Sequence, residues 1–378
     1  MSLRILASCS PGEIRVAVAE DAGPLPDGLL DYALDRPGAP DGVGDLFIGR
    51  IEAALPAMAG AFVRMGDVSA FLPDRDGAAG RADGERVAVR LVRSAQGGKG
   101  PRLSAILDDR EQALAASHGA APGLVARGPA ALERLAARYP DAPILSDAAA
   151  MTHALPAALR ARLRLVPRAF DDRIEDAVAQ LAVPEVALPG GMRASIRPTP
   201  ALVAIDMDLG AGTAERRPKQ TVQFAANRSA IGPLLHQVRL RNLSGAILVD
   251  LAGLAARKRA ALAPDIAAAL RRDPLQPRLL GFTALGFAEI LRPRIHPPLH
   301  ELLHSPHGVG LAALRHALRQ ARDRQDRGVA TLRGGIGIIA ALRGDPAALE
   351  AFAHAACVPI SLHMDPALSA LSWTLAHE

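Results

Sequence analysis

Two apolar runs that end in carboxylates constrain this chain more than any other feature. Leu202-Val203-Ala204-Ile205-Asp206-Met207-Asp208 is tipped by two aspartates, and Ala246-Ile247-Leu248-Val249-Asp250 repeats the pattern about forty residues later. Both read as buried strands. Residues two apart in a strand share a face, so Asp206 and Asp208 project together. The helical segment Arg228 to Arg241 joins the runs and stops at Asn242-Leu243-Ser244-Gly245. A strand-helix-strand order predicts a right-handed crossover and parallel strands, with Asp206 and Asp250 at one edge of the sheet. Three carboxylates in a small volume repel unless a proton or cation lies between them. A hard divalent ion held by a few carboxylates and waters is the common solution in phosphate chemistry, so the expectation is a Mg²⁺ site. A lone aspartate after a strand more often caps a helix or opens a turn; two acid-tipped strands weigh against that reading.

The rest of the chain narrows the setting. At 378 residues it is long enough for two to four domains or subdomains, and 49% hydrophobic residues supply ample core. No apolar run reaches the roughly 18 residues of a membrane span, and the first residues enter a strand-like pattern without a signal-type segment, so a cytoplasmic protein is expected. Cys9 and Cys357 lie near opposite ends, which argues against a disulfide framework and a Cys-x-x-Cys metal knuckle. The net charge is +5, and nearly all cations are arginines, with lysine only at positions 99, 219 and 258. Arginine forks bind phosphate bidentately and stack on bases, which suits RNA. A GC-rich genome produces the same bias, and both explanations stay open.

Read in order, Leu3 to Glu20 forms one or two strands around a Ser10-Pro11-Gly12-Glu13 turn, and residues 35–42 form a linker. Short strands then alternate with turns at 46–51, 61–65, 70–72 and 87–92, with a Gly97-Gly98-Lys99-Gly100 loop before the last strand. This is the pattern of a small OB-type barrel. Helices are expected over 110–116, 129–138 and 171–181, and a strand over 143–146. A strand, a Pro189-Gly190-Gly191 turn and a return strand lead into Asp206. Beyond Asp250 come one helix over 255–272 and one strand over 281–290. A compact tail follows, with helices at 310–324 and 346–356 and strands at 329–332 and 358–363. The Gly335-Ile336-Gly337-Ile338-Ile339-Ala340 run fits a loose dinucleotide-binding pattern but lacks the rest of that unit, and reads as a turn opening a tail element.

Three features taken together resemble the ribonuclease E/G family: the early barrel, the Ala-Ile-Asp strand, and the phrases Arg239-Leu240-Arg241-Asn242-Leu243-Ser244-Gly245-Ala246-Ile247-Leu248-Val249-Asp250 and Leu285-Gly286-Phe287-Ala288-Glu289-Ile290-Leu291-Arg292-Pro293-Arg294. In layout the chain is nearest the G branch. The resemblance implies an α/β multi-subdomain fold. Residues 1–38 would be N-terminal strands packing on an RNase H-like part. An S1 (OB-type) RNA-binding barrel would occupy 39–107, a shortened 5′-sensor-like region 108–168, an RNase H-like/DNase I-like catalytic region 169–300, and a small α/β C-terminal domain 301–378.

It further implies a Mg²⁺-dependent endoribonuclease acting on single-stranded RNA in rRNA or mRNA processing or decay, leaving 5′-phosphate and 3′-hydroxyl ends. Asp206 and Asp250 would hold the metal. Asp208 would join them as a catalytic carboxylate where the family usually has Asn. Phe62, Phe71, Lys99 and Arg127 match positions that contact RNA, although Phe62 and Phe71 also read as barrel core. Arg239 and Arg241 are candidates for the RNA backbone or for plain surface charge. The family's zinc-sharing cysteines fall at His304-Ser305-Pro306-His307, so a homodimer would form without that link. Gly253 replaces a family aspartate. These departures imply the alternative of an RNA-binding relative with weakened or absent catalysis.

Overall fold

The computed structural model describes residues 3–20, 28–119, 121–209, 219–323 and 330–377. The chain divides into two compact units, one built from residues 1–41, 129–178 and 300–378, the other from 42–128 and 179–299. The ends of the expected helix at 324 and strand at 329 lie outside the described residues.

The first unit begins with the hairpin of Leu3–Ser10 and Glu13–Glu20, turned at Gly12 with φ +72°. Only glycine adopts that conformation cheaply. Leu29–Asp35 extends the hairpin antiparallel, while Ile144–Ser146 adds parallel to Leu3–Ser10 and Leu163–Leu165 parallel to that. The alternating Ile5, Ala7, Val16 and Val18 bury one face against Leu132 and Leu135 of helix Ala131–Arg138. The C-terminal part is a three-stranded sheet ordered 361–364, 330–334, 373–377. Helices Pro306–Asp323, Ile336–Arg343 and Pro346–Ala356 pack with it around Leu311, Leu332, Ile338, Leu342 and Phe352. Gly335 caps the second of these helices at the loose glycine motif, as the turn reading expected.

The second unit holds the barrel. Leu46–Leu55, Gly60–Met65, Val68–Pro73, Arg102–Ser104 and Arg86–Arg93 close in that order, the third and fourth being parallel neighbours and the others antiparallel. Val63, Leu72, Val89 and Leu103 are fully buried inside. This is the five-stranded closed barrel of the OB type expected from the turn spacing. A short strand that the sequence pattern does not announce, Gly123–Ala126, pairs with the start of Leu46–Leu55.

The same unit contains a six-stranded mixed sheet ordered 185–188, 192–198, 203–209, 245–250, 288–292, 278–282. Helix Lys219–Leu240 links the two acid-tipped strands, which are parallel. Two expectations change here. The helix expected over 255–272 is two short helices, Ala256–Ala260 and Ala263–Leu270, because Pro264 lacks the N–H needed to continue the first and instead opens the second. The strand expected over 281–290 is a hairpin of Arg278–Phe282 and Ala288–Arg292, turned at Thr283 to Phe287 with Gly286 at φ +91°.

Candidate active site and nucleic-acid interface

Alternation along the two acid-tipped strands sorts their side chains. Val203, Ile205, Met207, Ile247 and Val249 are buried against Ile231, Leu234 and Val238 of the linking helix and Ile266 of the following one. Burial of each large aliphatic side chain contributes about 1.5–3 kcal/mol, so a one-residue slip that exposed this set would be strongly disfavoured. The register is therefore fixed, and it places Asp206 directly opposite Asp250. Both lie on the face away from the helices. Asp206 and Asp208 are exposed and Asp250 is half-buried. Asp208 stands opposite Arg193 on the antiparallel neighbour, and Asp206 opposite Ser195. Among the described residues no three His, Cys, Asp or Glu side chains gather closely enough to hold a metal ion. The expected three-carboxylate cluster is thus a cross-strand pair, Asp206 and Asp250, with Asp208 one step along the same face.

The Asp250 end is held by polar side chains. Arg259 Nη2 lies 3.5 Å from Asp250 Oδ1. The same guanidinium donates through Nε to the Leu254 carbonyl at 2.7 Å and through Nη1 to the Leu285 carbonyl at 3.2 Å. It thereby ties the loop after Asp250 to the turn of the neighbouring hairpin. From the linking helix, Asn227 donates to the Ala252 carbonyl and accepts from the Ala252 N–H, each at 3.1 Å. Gln220 donates to the Gly253 carbonyl at 2.8 Å. Lys258 sits 5.3 Å from the centre of the Phe224 ring.

On the barrel, Phe62 and Phe71 are cross-strand partners with ring centroids 5.7 Å apart at 68°, an edge-to-face pair. Both are half-buried while their neighbours Ala61, Val63, Ala70 and Leu72 fill the interior, so the rings lie outside the barrel core. Lys99 is exposed and closes a tight hairpin with Gln96, with Gly97 and Gly98 both at positive φ. Arg127 is engaged elsewhere: it pairs at 2.6 Å with Asp45, which is 5% exposed and also accepts from the Gly128 N–H. Arg102 is the register partner of both Phe71 and Arg93. Arg93 and Arg102 line a cleft of about 480 Å³ together with Arg75, Arg278, Arg292 and Arg294. Burial and the neighbouring Arg102 and Arg294 push the Arg93 guanidinium below its ordinary pKa. Asp76 takes Arg75 and Arg102, and Asp273 takes Arg292, so the cleft keeps an excess of positive charge.

The sequence model of the Ribonuclease E/G family matches residues 145–295, which contain both acid-tipped strands and the helix between them. Over this segment the chain is similar to the ribonuclease E/G family. Ribonuclease E of Nostoc sp. is 34% identical over 131 residues, covering 34% of this chain and 19% of that protein. Ribonuclease E of Synechocystis sp. is 30% identical over 135 residues, 35% of this chain and 20% of the relative. Ribonuclease G of Haemophilus influenzae is 30% identical over 131 residues, 34% of this chain and 26% of the relative. The matched stretch thus spans about a fifth to a quarter of the curated relatives.

In this family-matched segment the phrase leading into Asp250 makes structural contacts. Arg241 is buried and donates to the carbonyls of Gln180, Leu181 and Val183, so it meets neither solvent nor RNA, contrary to both roles weighed from sequence; burial pushes its pKa down to about 10. Asn242, at φ +48°, donates to the His296 and Pro297 carbonyls at 2.8 and 3.0 Å. Gly245 has φ +85°, and a Cβ there would lie 2.1 Å from Arg294 Nη2. Arg239 bonds the His236 ring at 3.0 Å. Sequence reasoning missed Arg259, Gln220 and Asn227, because one arginine on a basic helix and two amides on a long helix carry no spacing signal of their own. At Gly253, φ is +61° and a Cβ would lie 2.2 Å from the Gln223 amide, so any side chain here requires that amide to move.

Proposed function

We propose that the chain is a Mg²⁺-dependent endoribonuclease that cleaves single-stranded RNA in the cytoplasm and leaves 5′-phosphate and 3′-hydroxyl ends. The observation that carries this reading is the register of Asp206 against Asp250 on the open face of the family-matched sheet. Neighbouring strands lie about 4.8 Å apart, so two carboxylates in register can share one cation. The donor set suits Mg²⁺, which takes one or two carboxylates, keeps several waters and uses substrate phosphate as a further ligand. Asp206 and Asp250 would hold it. When bound, the ion supplies Lewis-acid polarisation of a phosphate oxygen and acidification of a water.

The protein's own groups do the rest. Arg259 fixes the Asp250 carboxylate and the two loops beside it, and Arg257 and Lys258 on the same short helix add positive charge where a phosphodiester would approach. Phe62 and Phe71 offer two ring faces for stacking bases, which tolerates any sequence. The arginine cleft takes the backbone. Arg278 is the register partner of Leu291, which lies on the same face of the sheet as Leu248 and Asp250, so one open surface runs from the cleft to the carboxylates. Strand Gly245–Asp250 separates the two ends by about 17 Å at the usual rise per residue.

A second reading has its own support. Asp250 is already engaged by Arg259, and among the described residues no third carboxylate joins the pair, which also fits a relative that holds RNA without cutting it. Incubation of single-stranded RNA across a Mg²⁺ titration, with the product ends mapped by ligation, separates the two. Cleavage with 5′-phosphate ends supports the nuclease; RNA retained intact at every Mg²⁺ concentration, with affinity unchanged by EDTA, supports the binding protein.

A further inference from the structure

The first unit contains a cleft of about 430 Å³ that the proposed nuclease does not use. Its position is informative. Leu3–Ser10, Ile144–Ser146 and Leu163–Leu165 are mutually parallel, and the residues at and just beyond their carboxyl ends, Ser8 to Ser10, Asp147 and Pro167-Arg168, all line it. Open sheets with parallel strands bind ligands in the crevice beyond those carboxyl ends. The opposite wall is helix Pro306–Asp323, which presents Arg315, Arg319 and Arg322 at a spacing that keeps all three on one side.

Charge accounting separates the floor from the rim. On the floor, Arg15 makes a bidentate pair with Glu175 at 2.7 and 2.8 Å and stacks 4.8 Å from the Phe170 ring centre. Arg315 pairs at 2.6 Å with Glu13, which is 2% exposed. The Asp147 carboxylate accepts the Cys9 N–H at 2.7 Å and the Ala169 N–H at 3.4 Å. Each of these groups thus has a protein partner. At the rim Arg168 pairs with Asp172, whereas Arg319 and Arg322 are exposed and form no ion pair with any described side chain, Arg319 acting only through its field on Glu175. Two guanidiniums on one helix face thus point into a cleft whose other charges cancel. Such forks match the oxygens of a phosphate.

The geometry points to a second binding site in this cleft, formed by Arg319 and Arg322 over the strand ends, for a small phosphomonoester no larger than a mononucleotide. Two exposed guanidiniums match a phosphate dianion, and the volume falls in the range of small-ligand pockets. The site shares no residue with the Asp206–Asp250 face and does not depend on the proposed nuclease activity.

The test uses the full chain and calorimetry with inorganic phosphate, AMP and adenosine. AMP is expected to bind, phosphate to bind more weakly and adenosine not at all, and Arg319→Gln with Arg322→Gln to weaken AMP by at least about tenfold. An independent readout needs no variant. Cys9 lines the cleft and Cys357 is exposed elsewhere on the chain, so a methanethiosulfonate reagent should label Cys9 more slowly with AMP present and Cys357 at an unchanged rate. No AMP binding at millimolar concentration, or binding that the double variant and Cys9 labelling leave unaltered, overturns the proposal.

Discussion

Arg259 and Asp250 form an ion pair, 3.5 Å apart, in which the same guanidinium also holds the carbonyls of Leu254 and Leu285. One side chain therefore sets the orientation of a candidate metal ligand and joins the two loops flanking it. Arg259→Ala should lower single-turnover cleavage by at least about tenfold while RNA affinity measured by anisotropy changes little, because misplaced reacting groups cost rate before they cost binding. Arg259→Lys should recover little, since an ammonium cannot reproduce a three-way fork. An unchanged rate in Arg259→Ala would remove this residue from the account.

Phe62 and Phe71 sit side by side on the outside of the barrel. Alanine at either position should weaken single-stranded RNA binding by about 1–3 kcal/mol, the range for loss of one base-stacking platform. Because the rings touch, the double variant should lose less than the sum. Thermal unfolding serves as the control: a large stability loss with RNA affinity retained would return both residues to a packing role.

The arginine cleft predicts a salt effect. If Arg278 and Arg294 each neutralise one phosphate, changing both to Gln should flatten the plot of log affinity against log salt by about 1.4, since each single-strand contact contributes about 0.7. An unchanged slope would place the RNA elsewhere.

Arg241 is predicted to matter for stability alone. Its guanidinium donates to three carbonyls, the Leu181 bond being buried and those to Gln180 and Val183 partly so, and Arg241→Met should cost roughly 1–3 kcal/mol in urea unfolding. RNA affinity at low temperature should be preserved. Loss of affinity in a fully folded variant would contradict the structural role.

Asp206 and Asp250 were legible because burial of one strand face forces alternation, and a helix between two such strands makes them parallel. The barrel was legible for the same reason, its inward residues being apolar at every second position. Other elements left weaker traces. Gly123–Ala126 and Leu163–Leu165 are short and have no fully buried residue, so no apolar pattern marks them. The turn at Thr283 to Phe287 contains Ala284 and Leu285, apolar residues that imitate a strand, and Leu285 is 78% exposed. At Arg241 composition misleads: a guanidinium is usually solvated, and only the three carbonyls gathered from residues 180–183 reveal why this one is buried. Arg259 is invisible for the opposite reason, since its neighbours Arg257 and Lys258 make it look like one member of a solvated run.

The central claim is that Asp206 and Asp250 together hold the metal that cuts RNA. Its most direct measurement is single-turnover cleavage of single-stranded RNA by the unmodified chain, Asp206→Asn and Asp250→Asn across a Mg²⁺ titration, with RNA affinity measured in parallel. The account predicts Mg²⁺-dependent cleavage by the unmodified chain, loss of cleavage in both variants, and RNA affinity kept in both. Cleavage by either variant at the unmodified rate would contradict it.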